Sequence, residues 1–420
     1  MDFFFSIWYS FIWMEDDNMI KITSDPEKRR FTTSETVLLV IMTLVIGVLI
    51  GSLLSKTNVI TKTMTTKDEN LNKFINTYEY VINNYYENVD KEKLISNAID
   101  GMLKSLDDPY SMYLDKDESE NFSISLDGSY KGVGIQVAKE EDGYIIVTYV
   151  FKDSPADKAG LKTNDIIIEI DGESCKDYSA SDFSEKIKKS EKENFKLKIL
   201  REEKEIEVIL KKDVITLESI LTETYERNDK KIGYIYIGIF ANNTYYQFKD
   251  ALDELEKQKI DSLIIDVRGN SGGHLTAVDS ILDIFLTEKD KMYGFSQNKK
   301  KNYVYGTGDK YKDYEIVLLG DEGSASASEV LIAGLMENLN SKFFGKKTFG
   351  KGTVQEMINL SDGDQYKLTI KKWLTPKGNW INDTKGIVPS KEVELDDEYF
   401  ETYESSDDTQ LEYAIEYLAS

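Results

Sequence analysis

Predicted strands and helices alternate between Val214 and Val393, and this alternation constrains the fold more than any other feature of the chain. The strands are Ile232–Ile239, Ser262–Val267 and Ile316–Leu319, and the helices are Thr244–Gln258, Ala277–Leu286 and Ser326–Asn338. Such alternation is typical of an α/β core, in which helices cover a mostly parallel sheet. Because ligands bind these cores at the carboxyl ends of the strands, we expect the functional residues in the loops there.

A different pattern of short strands and turns precedes the core, from Gly128 to about Lys212. It contains a β-rich run, a short helix closed by glycine, a buried strand and an alternating hairpin, at Tyr144–Val150, Ser154–Gly160, Asp165–Ile170 and Phe195–Leu210. The loop Lys131–Ile135 has a glycine on each side of Val133 and can turn several backbone amides toward one anion, such as a peptide carboxylate. This loop is therefore a candidate binding site for a peptide C-terminus.

An uncharged run of 19 residues, Thr36–Leu54, is long and apolar enough to cross a bilayer as one helix. Lys28, Arg29 and Arg30 precede it, so the positive-inside bias holds the N-terminus in the cytoplasm and places the rest of the chain outside the cell membrane. We expect an uncleaved anchor and a single-pass membrane protein. The apolar spacing of Asp68–Leu106 then predicts a helical pair used for packing or dimerisation.

The balance of charge and the rarity of metal-binding side chains exclude several classes of function. The chain has 76 acidic and 52 basic side chains, a formal net charge of −24, which repels nucleic-acid phosphates. One cysteine and one histidine can form neither an internal disulfide nor a structural zinc site. We therefore expect no nucleic-acid partner, no metal and no organic cofactor.

The single histidine, His274, limits the choice of a catalytic nucleophile. Ser271 lies in a Gly-x-Ser-x-Gly pattern typical of α/β-hydrolases, but that fold needs its histidine far downstream of the serine. The glycine amides of this loop are better suited to stabilise an oxyanion. Ser296 has a lysine three residues later, Lys299, in a polar stretch that cannot desolvate an amine.

Ser326 and Lys351 are the better candidates for a nucleophile and its base. Ser326 follows a turn of small residues at the start of a predicted helix, where the helix dipole and free amides favour a developing negative charge. Lys351 lies in a glycine-flanked, uncharged stretch, and in a strand Gln355 would lie on the same face. Lysine acts as a base only where burial or a nearby cation lowers its pKa, so we expect a closed, apolar site. A purely structural role for Ser326, as the N-cap of the helix, stays open because Glu329 completes a capping-box pattern with it.

Several motifs, in order along the chain, resemble those of the carboxyl-terminal processing proteases, the tail-specific serine-lysine peptidases of family S41. They are Gly101–Ser111 in the helical region, Ser154–Leu161 and Asn164–Gly172 in the β-rich region, and the segments around Ser326 and Lys351. The resemblance implies an α/β protease core of ClpP/crotonase-like ββα units with an inserted PDZ domain. The N-terminal helical region and a single transmembrane helix would precede the PDZ domain.

The resemblance also implies a role for each matching residue of the core. Ser326 is expected to be the nucleophile, Lys351 the general base and Gln355 the partner that orients the base. The amides of Gly272 and Ala327 are expected to form the oxyanion hole.

Further implied residues support the site or bind the substrate. Glu329 is expected to support the catalytic residues, and the substrate carboxylate is expected on the PDZ loop formed by Gly132, Val133, Gly134 and Ile135. Two positions depart from the family pattern: Ser271 stands where similar proteins have a proline before the paired glycines, and Ser390 stands where they have an acidic residue. Neither change removes a catalytic side chain, so activity is still expected.

The predicted organisation is a cytoplasmic segment, an anchor, a helical region, a PDZ domain, a protease core and an acidic, solvated tail, at residues 1–35, 36–54, 55–125, 126–213, 214–395 and 396–420. We expect a serine endopeptidase that binds free protein C-termini through its PDZ domain and forms an acyl-enzyme. A homodimer and a regulatory partner protein stay open. The alternatives are a non-catalytic, membrane-tethered PDZ adaptor and a crotonase-like enzyme acting on acyl-CoA esters.

Overall fold

The structure, a computed structural model, describes residues 68–140, 143–309, 311–360, 363–396, 399 and 407–420. The helices in these ranges are α1 Glu69–Asn84, α2 Lys91–Lys104, α3 Lys116–Asp127, α4 Pro155–Lys158, α5 Ala180–Lys189, α6 Thr244–Lys257, α7 Leu275–Phe285, α8 Ala327–Leu339, α9 Ile381–Thr384 and α10 Thr409–Ala419.

The strands are β1 Met112–Leu114, β2 Ser129–Gly132, β3 Ile135–Lys139, β4 Ile145–Val150, β5 Ile166–Ile170, β6 Glu173–Ser174, β7 Asn194–Arg201, β8 Lys204–Lys211, β9 Asp213–Thr216, β10 Ile220–Arg227, β11 Lys230–Ile237, β12 Ser262–Asp266, β13 Lys291–Gln297, β14 Lys300–Tyr305, β15 Glu315–Gly320, β16 Lys342–Gly345, β17 Thr353–Asn359, β18 Gln365–Leu374 and β19 Lys391–Glu392.

The chain divides into two units, Met1–Asp90 and Lys91–Ser420. In the first unit, α1 begins at an N-cap, Asp68, whose carboxylate accepts the N–H groups of Asn70 and Leu71, and none of the residues of this helix is buried.

The predicted placement in the cell membrane has to be corrected. None of the helices in the described ranges combines the length and the apolarity needed to cross a bilayer. The predicted anchor, residues 36–54, and the predicted cytoplasmic segment, residues 1–35, lie outside the described residues. The described helices therefore give no support to the single-pass placement that the apolar run and the positive-inside bias suggested.

The second unit is built around a six-stranded sheet in the order β10-β11-β12-β15-β16-β19. All neighbouring pairs from β11 to β19 are parallel, and β10 joins β11 as an antiparallel hairpin. Helices α6, α7 and α8 bury their apolar sides against one face of the sheet. Every strand and helix that the alternating pattern predicted in this region is present, with ends that differ by a few residues.

The C-terminal segment differs from the predicted solvated tail. Helix α10 packs on the opposite face of the central sheet, where Leu411, Ile415 and Leu418 are buried against residues such as Phe344. The acidic residues before this helix suggested a solvated segment, but the helix has an apolar stripe of its own, and burial of that stripe is favourable.

A second sheet lies beside the central one and has the order β1-β18-β13-β14, with β17 paired to β18. Its long strand β18 pairs with β1, which follows the N-terminal helices, and with β17, which follows the segment around Lys351. This sheet therefore brings together parts of the chain more than 200 residues apart, and its strands were not among those predicted.

The β-rich region before the core forms a sheet in the order β3-β4-β5-β7-β8, with β6 added to β5. A separate apolar cluster fills it, including Phe183 of α5, Phe195 of β7 and Cys175. Strands β2 and β9 pair at the point where the chain enters and leaves this region. Because β3 lies at the end of the sheet, its outer edge is available to a further strand.

Candidate active site

Ser326 occupies a strained position immediately before the first residue of α8. Its backbone angles are φ 55° and ψ −110°, outside the regions that residues other than glycine ordinarily adopt. Strain of this kind costs roughly 1–3 kcal/mol and persists only where the surrounding contacts enforce it. The contacts that enforce this turn come from the loop after β12 and from the helix itself.

Asn270, which is fully buried, organises the turn before Ser326. Its backbone carbonyl accepts the N–H of Ala325 at 3.0 Å and the hydroxyl of Ser328 at 2.8 Å. Its side-chain amide donates to the carbonyl of Ile237 at 2.8 Å, at the end of β11. One asparagine thus connects two strand ends to the nucleophile candidate, a role that the sequence patterns did not indicate.

Gly272, the predicted oxyanion donor, lies directly against the turn. Its φ is +114°, and a Cβ atom there would lie 3.0 Å from both Ala325 O and Ser326 Cβ. Its N–H donates to Asn270 Oδ1 at 2.8 Å. The second predicted donor, the N–H of Ala327, belongs to the first residue of α8, where a helix leaves its amides without intrahelical partners. Of the two predicted oxyanion donors, the N–H of Gly272 is thus engaged with Asn270.

Glu329 connects the turn at Ser326, the predicted nucleophile, to the segment that carries Lys351, the predicted base. We call this second segment, Thr348–Gly352, the base segment. Its buried carboxylate accepts the N–H groups of Ser326 at 2.8 Å, Gly350 at 2.7 Å and Lys351 at 2.9 Å, and the hydroxyl of Thr348 at 2.6 Å. Burial raises the pKa of Glu329, and these donors oppose that shift by stabilising the carboxylate. Glu329 therefore does more than cap α8.

Tryptophan and asparagine side chains hold the other side of the base segment. Trp373 donates its indole N–H to the carbonyl of Lys351 at 2.8 Å, and Trp380 donates to the carbonyl of Gly352 at 2.8 Å. Asn382 accepts the N–H of Gly352 at 2.7 Å. The backbone around Lys351 is therefore held on both sides.

The amine of Lys351 is half-buried and faces an aromatic ring. Its Nζ lies 4.9 Å from the centroid of the Tyr110 ring, and within the described part of the chain it makes no hydrogen bond to Ser326 or Gln355. Burial lowers the pKa of Lys351, and Lys367 lowers it further, against the opposing effects of Glu329 and Asp108. A lowered pKa is the property that a lysine base requires.

Gln355 lies in β17, whereas Lys351 lies in the segment before that strand. The expectation that a common strand places both side chains on one face is wrong, because the strand begins at Thr353 and its register shifts between Val354 and Gln355. The Gln355 amide nitrogen donates to the hydroxyls of Thr353 at 3.0 Å and Thr369 at 3.1 Å.

The loop between α2 and β1 also reaches this site, which the sequence patterns did not predict. Besides Tyr110, it contributes Ser111, whose hydroxyl accepts the N–H of Thr369 at 3.0 Å and donates to Asp108 at 2.5 Å. Burial raises the pKa of Asp108, but hydrogen bonds from Ser111 and Thr369 outweigh it, so the net shift is downward. The motif Gly101–Ser111 contains all three loop residues, but its helical spacing suggested packing alone.

The other serine and histidine candidates have structural surroundings. Ser271 is exposed. His274 is the N-cap residue of α7, and its backbone N–H donates to the carbonyl of Phe240 at 2.7 Å. Ser296 lies in β13, and Lys299 lies in the turn that follows this strand. In the described ranges, no group of three or more His, Cys, Asp or Glu side chains could hold a metal ion.

The predicted carboxylate loop lines a groove of about 570 Å³ in the β-rich region. Gly132, Val133, Gly134 and Ile135 form one side, and α5 contributes Phe183, Ile187 and Lys188. Helix α3 also lines this groove, and its Glu120 forms an ion pair with Lys188.

The hydrogen bonds of this loop indicate where its amides point. The carbonyl of Val133 accepts the N–H of Ala156 at 3.0 Å, and the carbonyl of Gly134 accepts the N–H of Phe151 at 3.1 Å. A trans peptide directs its N–H opposite to its C=O, so the N–H groups of Gly134 and Ile135 point away from these partners. Two amides beside an open strand edge can bind a peptide carboxylate.

Comparison with known protein families gives three matches along the chain. The model of peptidase family S41 matches residues 231–393, that of the N-terminal domain of the activating protease CtpB matches residues 51–118, and a PDZ domain model matches residues 146–201.

Curated relatives match over most of the chain. The carboxy-terminal processing protease CtpB of Bacillus subtilis (strain 168) is 43% identical over 338 residues, which cover 80% of this chain and 70% of the relative. The carboxy-terminal processing protease CtpA of the same organism is 36% identical over 338 residues, covering 80% and 72%. Among solved structures, the photosystem II D1 C-terminal processing protease is similar with a TM-score of 0.46 and 22% identity, covering 84% of this chain and 98% of that one.

Proposed function

Because the chain belongs to the carboxy-terminal processing proteases of peptidase family S41, serine-type peptidases that here include a PDZ domain, we propose that it cleaves peptide bonds with Ser326 as nucleophile and Lys351 as general base. One observation carries this proposal: the carboxylate of Glu329 accepts the backbone N–H groups of both Ser326 and Lys351. A shared buried acceptor keeps the two residues in one site, although 25 residues separate them in the sequence.

The reaction follows from the chemistry of the two side chains. The neutral amine of Lys351 takes the proton of the Ser326 hydroxyl while the oxygen attacks the scissile carbonyl carbon. The tetrahedral intermediate collapses, and the leaving amine takes the proton from the Lys351 ammonium group. Lys351 then takes a proton from a water molecule as the water oxygen attacks the acyl carbon, and it returns this proton to the Ser326 oxygen when the bond to the acyl group breaks and the new C-terminus is released. The half-buried position of Lys351 supports this role because desolvation favours the neutral amine.

Three further groups, the N–H groups of Ala327 and Gly272 and the side chain of Gln355, stabilise the charges that form during this cycle. Ala327 N–H, at the start of α8, would stabilise the oxyanion, and Gly272 N–H would join it after leaving Asn270 Oδ1. Gln355 uses its amide nitrogen for two threonines, which leaves its carbonyl oxygen to accept a hydrogen bond from the Lys351 ammonium group.

The substrate class follows from the groove in the PDZ domain. A protein with a free, extended C-terminus would add as a strand to β3, and its carboxylate would accept the N–H groups of Gly134 and Ile135. The proposed substrates are therefore unstructured protein C-termini.

The test measures cleavage of casein and of a C-terminally tagged peptide by the full chain. Ser326→Ala and Lys351→Ala are each expected to lower kcat by at least about 10³-fold, because each removes one half of a nucleophile and base pair. Cleavage at the wild-type rate in either variant would refute the mechanism.

Matched controls distinguish the proposed pair from other residues of the same type. Ser271→Ala removes an exposed serine of the neighbouring loop, and Lys346→Ala removes a lysine paired with Glu392 and Glu394. Both are expected to retain activity. If the wild type bound C-terminal peptides but cleaved none, a non-catalytic PDZ adaptor would be the better interpretation.

A further inference from the structure

A second lysine, Lys367 of β18, lies close to the site and has no role in the mechanism described so far. It is half-buried, and its Nζ lies 4.6 Å from the centroid of the Phe122 ring of α3. Burial lowers the pKa of Lys367, and no carboxylate of the described chain offsets that effect. Lysine is rarely buried without an acidic partner, since the ammonium group loses its hydration.

The backbone places Lys367 on the same side of β18 as the catalytic groups. Lys367 precedes Thr369 by two residues, and side chains two apart on a strand share one face. The hydroxyl of Thr369 accepts the amide of Gln355 at 3.1 Å, so this face is the one that carries Gln355.

The loop under Lys351 is attached to the same stretch of β18. Ser111 accepts the N–H of Thr369 at 3.0 Å, and Met112 lies opposite Lys367 in the β1–β18 register. The amine of Lys351 rests on Tyr110 of this loop. The loop that Lys351 faces and Lys367 itself therefore belong to the same short stretch of the second sheet.

The charges around Lys351 come from three directions. Glu329 of α8 and Asp108 of the α2–β1 loop favour its protonated form, and Tyr110 is neutral at ordinary pH because burial raises its pKa. Among the described residues, Lys367 is the one cation that disfavours protonation of Lys351. Two lysines that interact this way titrate as a pair, and the first proton leaves more easily than it would from either amine alone. The repulsion acts on both amines, so the charge of Lys367 favours the neutral form of Lys351, as burial does.

We propose that Lys367 is a positioning residue of the catalytic site, a cation that acts on the reaction by repelling a proton from Lys351. It touches no reacting atom, and Phe122 holds it where its charge has this effect. This inference rests on the proposed function in one respect, that Lys351 is the general base.

The experiment compares pH profiles of kcat/KM for full-chain variants on the tagged peptide. Lys367→Met is expected to move the acidic limb of the profile to higher pH, and below the limb the rate should fall about tenfold for every pH unit that the limb moves. Above the limb its rate should be within about twofold of the wild type, because there Lys351 is neutral without help. Lys367→Arg keeps the charge and is expected to restore the wild-type limb.

The chain offers a matched control on the same strand. Lys371 lies four residues further along β18, with its Nζ 5.3 Å from the centroid of the Phe295 ring, and Lys371→Met should leave the limb where it is. Loss of kcat/KM by the same factor at every pH in Lys367→Met, or failure of Lys367→Arg to restore the limb, would show a structural role and overturn the inference.

Two further measurements keep the outcomes separate. If Lys367→Met does not give the wild-type thermal unfolding curve, Lys367→Gln replaces it, and the same movement of the limb is required. Wild-type activity in Lys351→Ala would overturn the proposed function itself, whereas an unmoved limb in the Lys367 variants with an inactive Lys351→Ala would overturn only the inference about Lys367.

Discussion

The cleft around Ser326 and Lys351, the proposed catalytic site, and the groove of the PDZ domain both place a glycine loop beside the start of a helix, but they are built from different groups. The cleft depends on buried side chains, with Glu329 accepting four donors and Lys351 partly dehydrated. The groove depends on backbone amides next to an open strand edge. Side-chain chemistry in a dry site is sensitive to single atoms, whereas a strand edge accepts many sequences.

This difference predicts how damage in each region appears in the kinetics. Changes in the cleft should lower kcat for every substrate. Changes in the groove should raise KM for substrates that are bound through a free C-terminus and leave kcat unchanged.

Apart from the loss of Ser326 or Lys351 itself, the largest effect is expected from Glu329→Gln. The carboxylate of Glu329 now accepts hydrogen bonds from backbone N–H groups and from a hydroxyl. The NH₂ group of a glutamine cannot accept them, and each buried donor left without an acceptor costs about 1–3 kcal/mol of folding free energy. We expect kcat to fall by more than about 10²-fold, together with a measurable loss of stability in urea, because the Ser326 and Lys351 segments lose their common acceptor. Glu337→Gln, later in the same helix, is the control; wild-type kcat in Glu329→Gln would contradict the role given to this carboxylate.

A smaller effect is expected from Gly272→Ala. The new methyl group would lie 3.0 Å from Ala325 O and Ser326 Cβ at a φ of +114°, so the loop has to move away from the nucleophile. Displacement of one oxyanion donor is expected to lower kcat by about 10²-fold with little change in KM. Gly269→Ala is a matched control in the same loop, since its φ is +69° but a Cβ atom there meets nothing within 4 Å. If kcat fell equally in Gly272→Ala and Gly269→Ala, backbone strain alone would explain the effect.

The smallest effect is expected in the groove. In Gly134→Ala the new methyl group would lie 2.2 Å from Ser154 Cβ, which displaces the amides of the carboxylate loop. We expect KM for a protein substrate to rise about tenfold, a loss of about 1.4 kcal/mol in binding, with kcat unchanged. Titration with a C-terminal peptide checks the affinity directly, and Gly172→Ala, at a similar φ of +85° in open space, is the control. A fall in kcat at saturating substrate would show that the groove and the cleft do not act independently.

The parts of the molecule that local patterns specify were predictable. The alternating strands and helices of the core and the β-rich region follow from apolar periodicity and turn residues, and the family is confirmed by the comparisons. The assignment of catalytic roles to Ser326, Lys351 and Gln355 stays a prediction that the variants above test.

Other parts of the site depend on contacts between distant segments. Tyr110 reaches Lys351 only because β18 pairs with both β1 and β17, and the Val354–Gln355 register shift cannot be read from alternation. The burial of α10 was also missed, since its acidic neighbours in the sequence indicated a solvated tail.

The sequence by itself determined the family, the order of the elements and the identity of the serine and lysine candidates, because these depend on residue types and their local spacing. Only the tertiary structure decided that Glu329 joins Ser326 to Lys351, that Gly272 donates to Asn270, and that a second half-buried lysine, Lys367, faces Phe122 of α3. The physical reason is that hydrogen bonds and burial act through space, and sheet pairing alone brings residues more than 200 positions apart into one cleft.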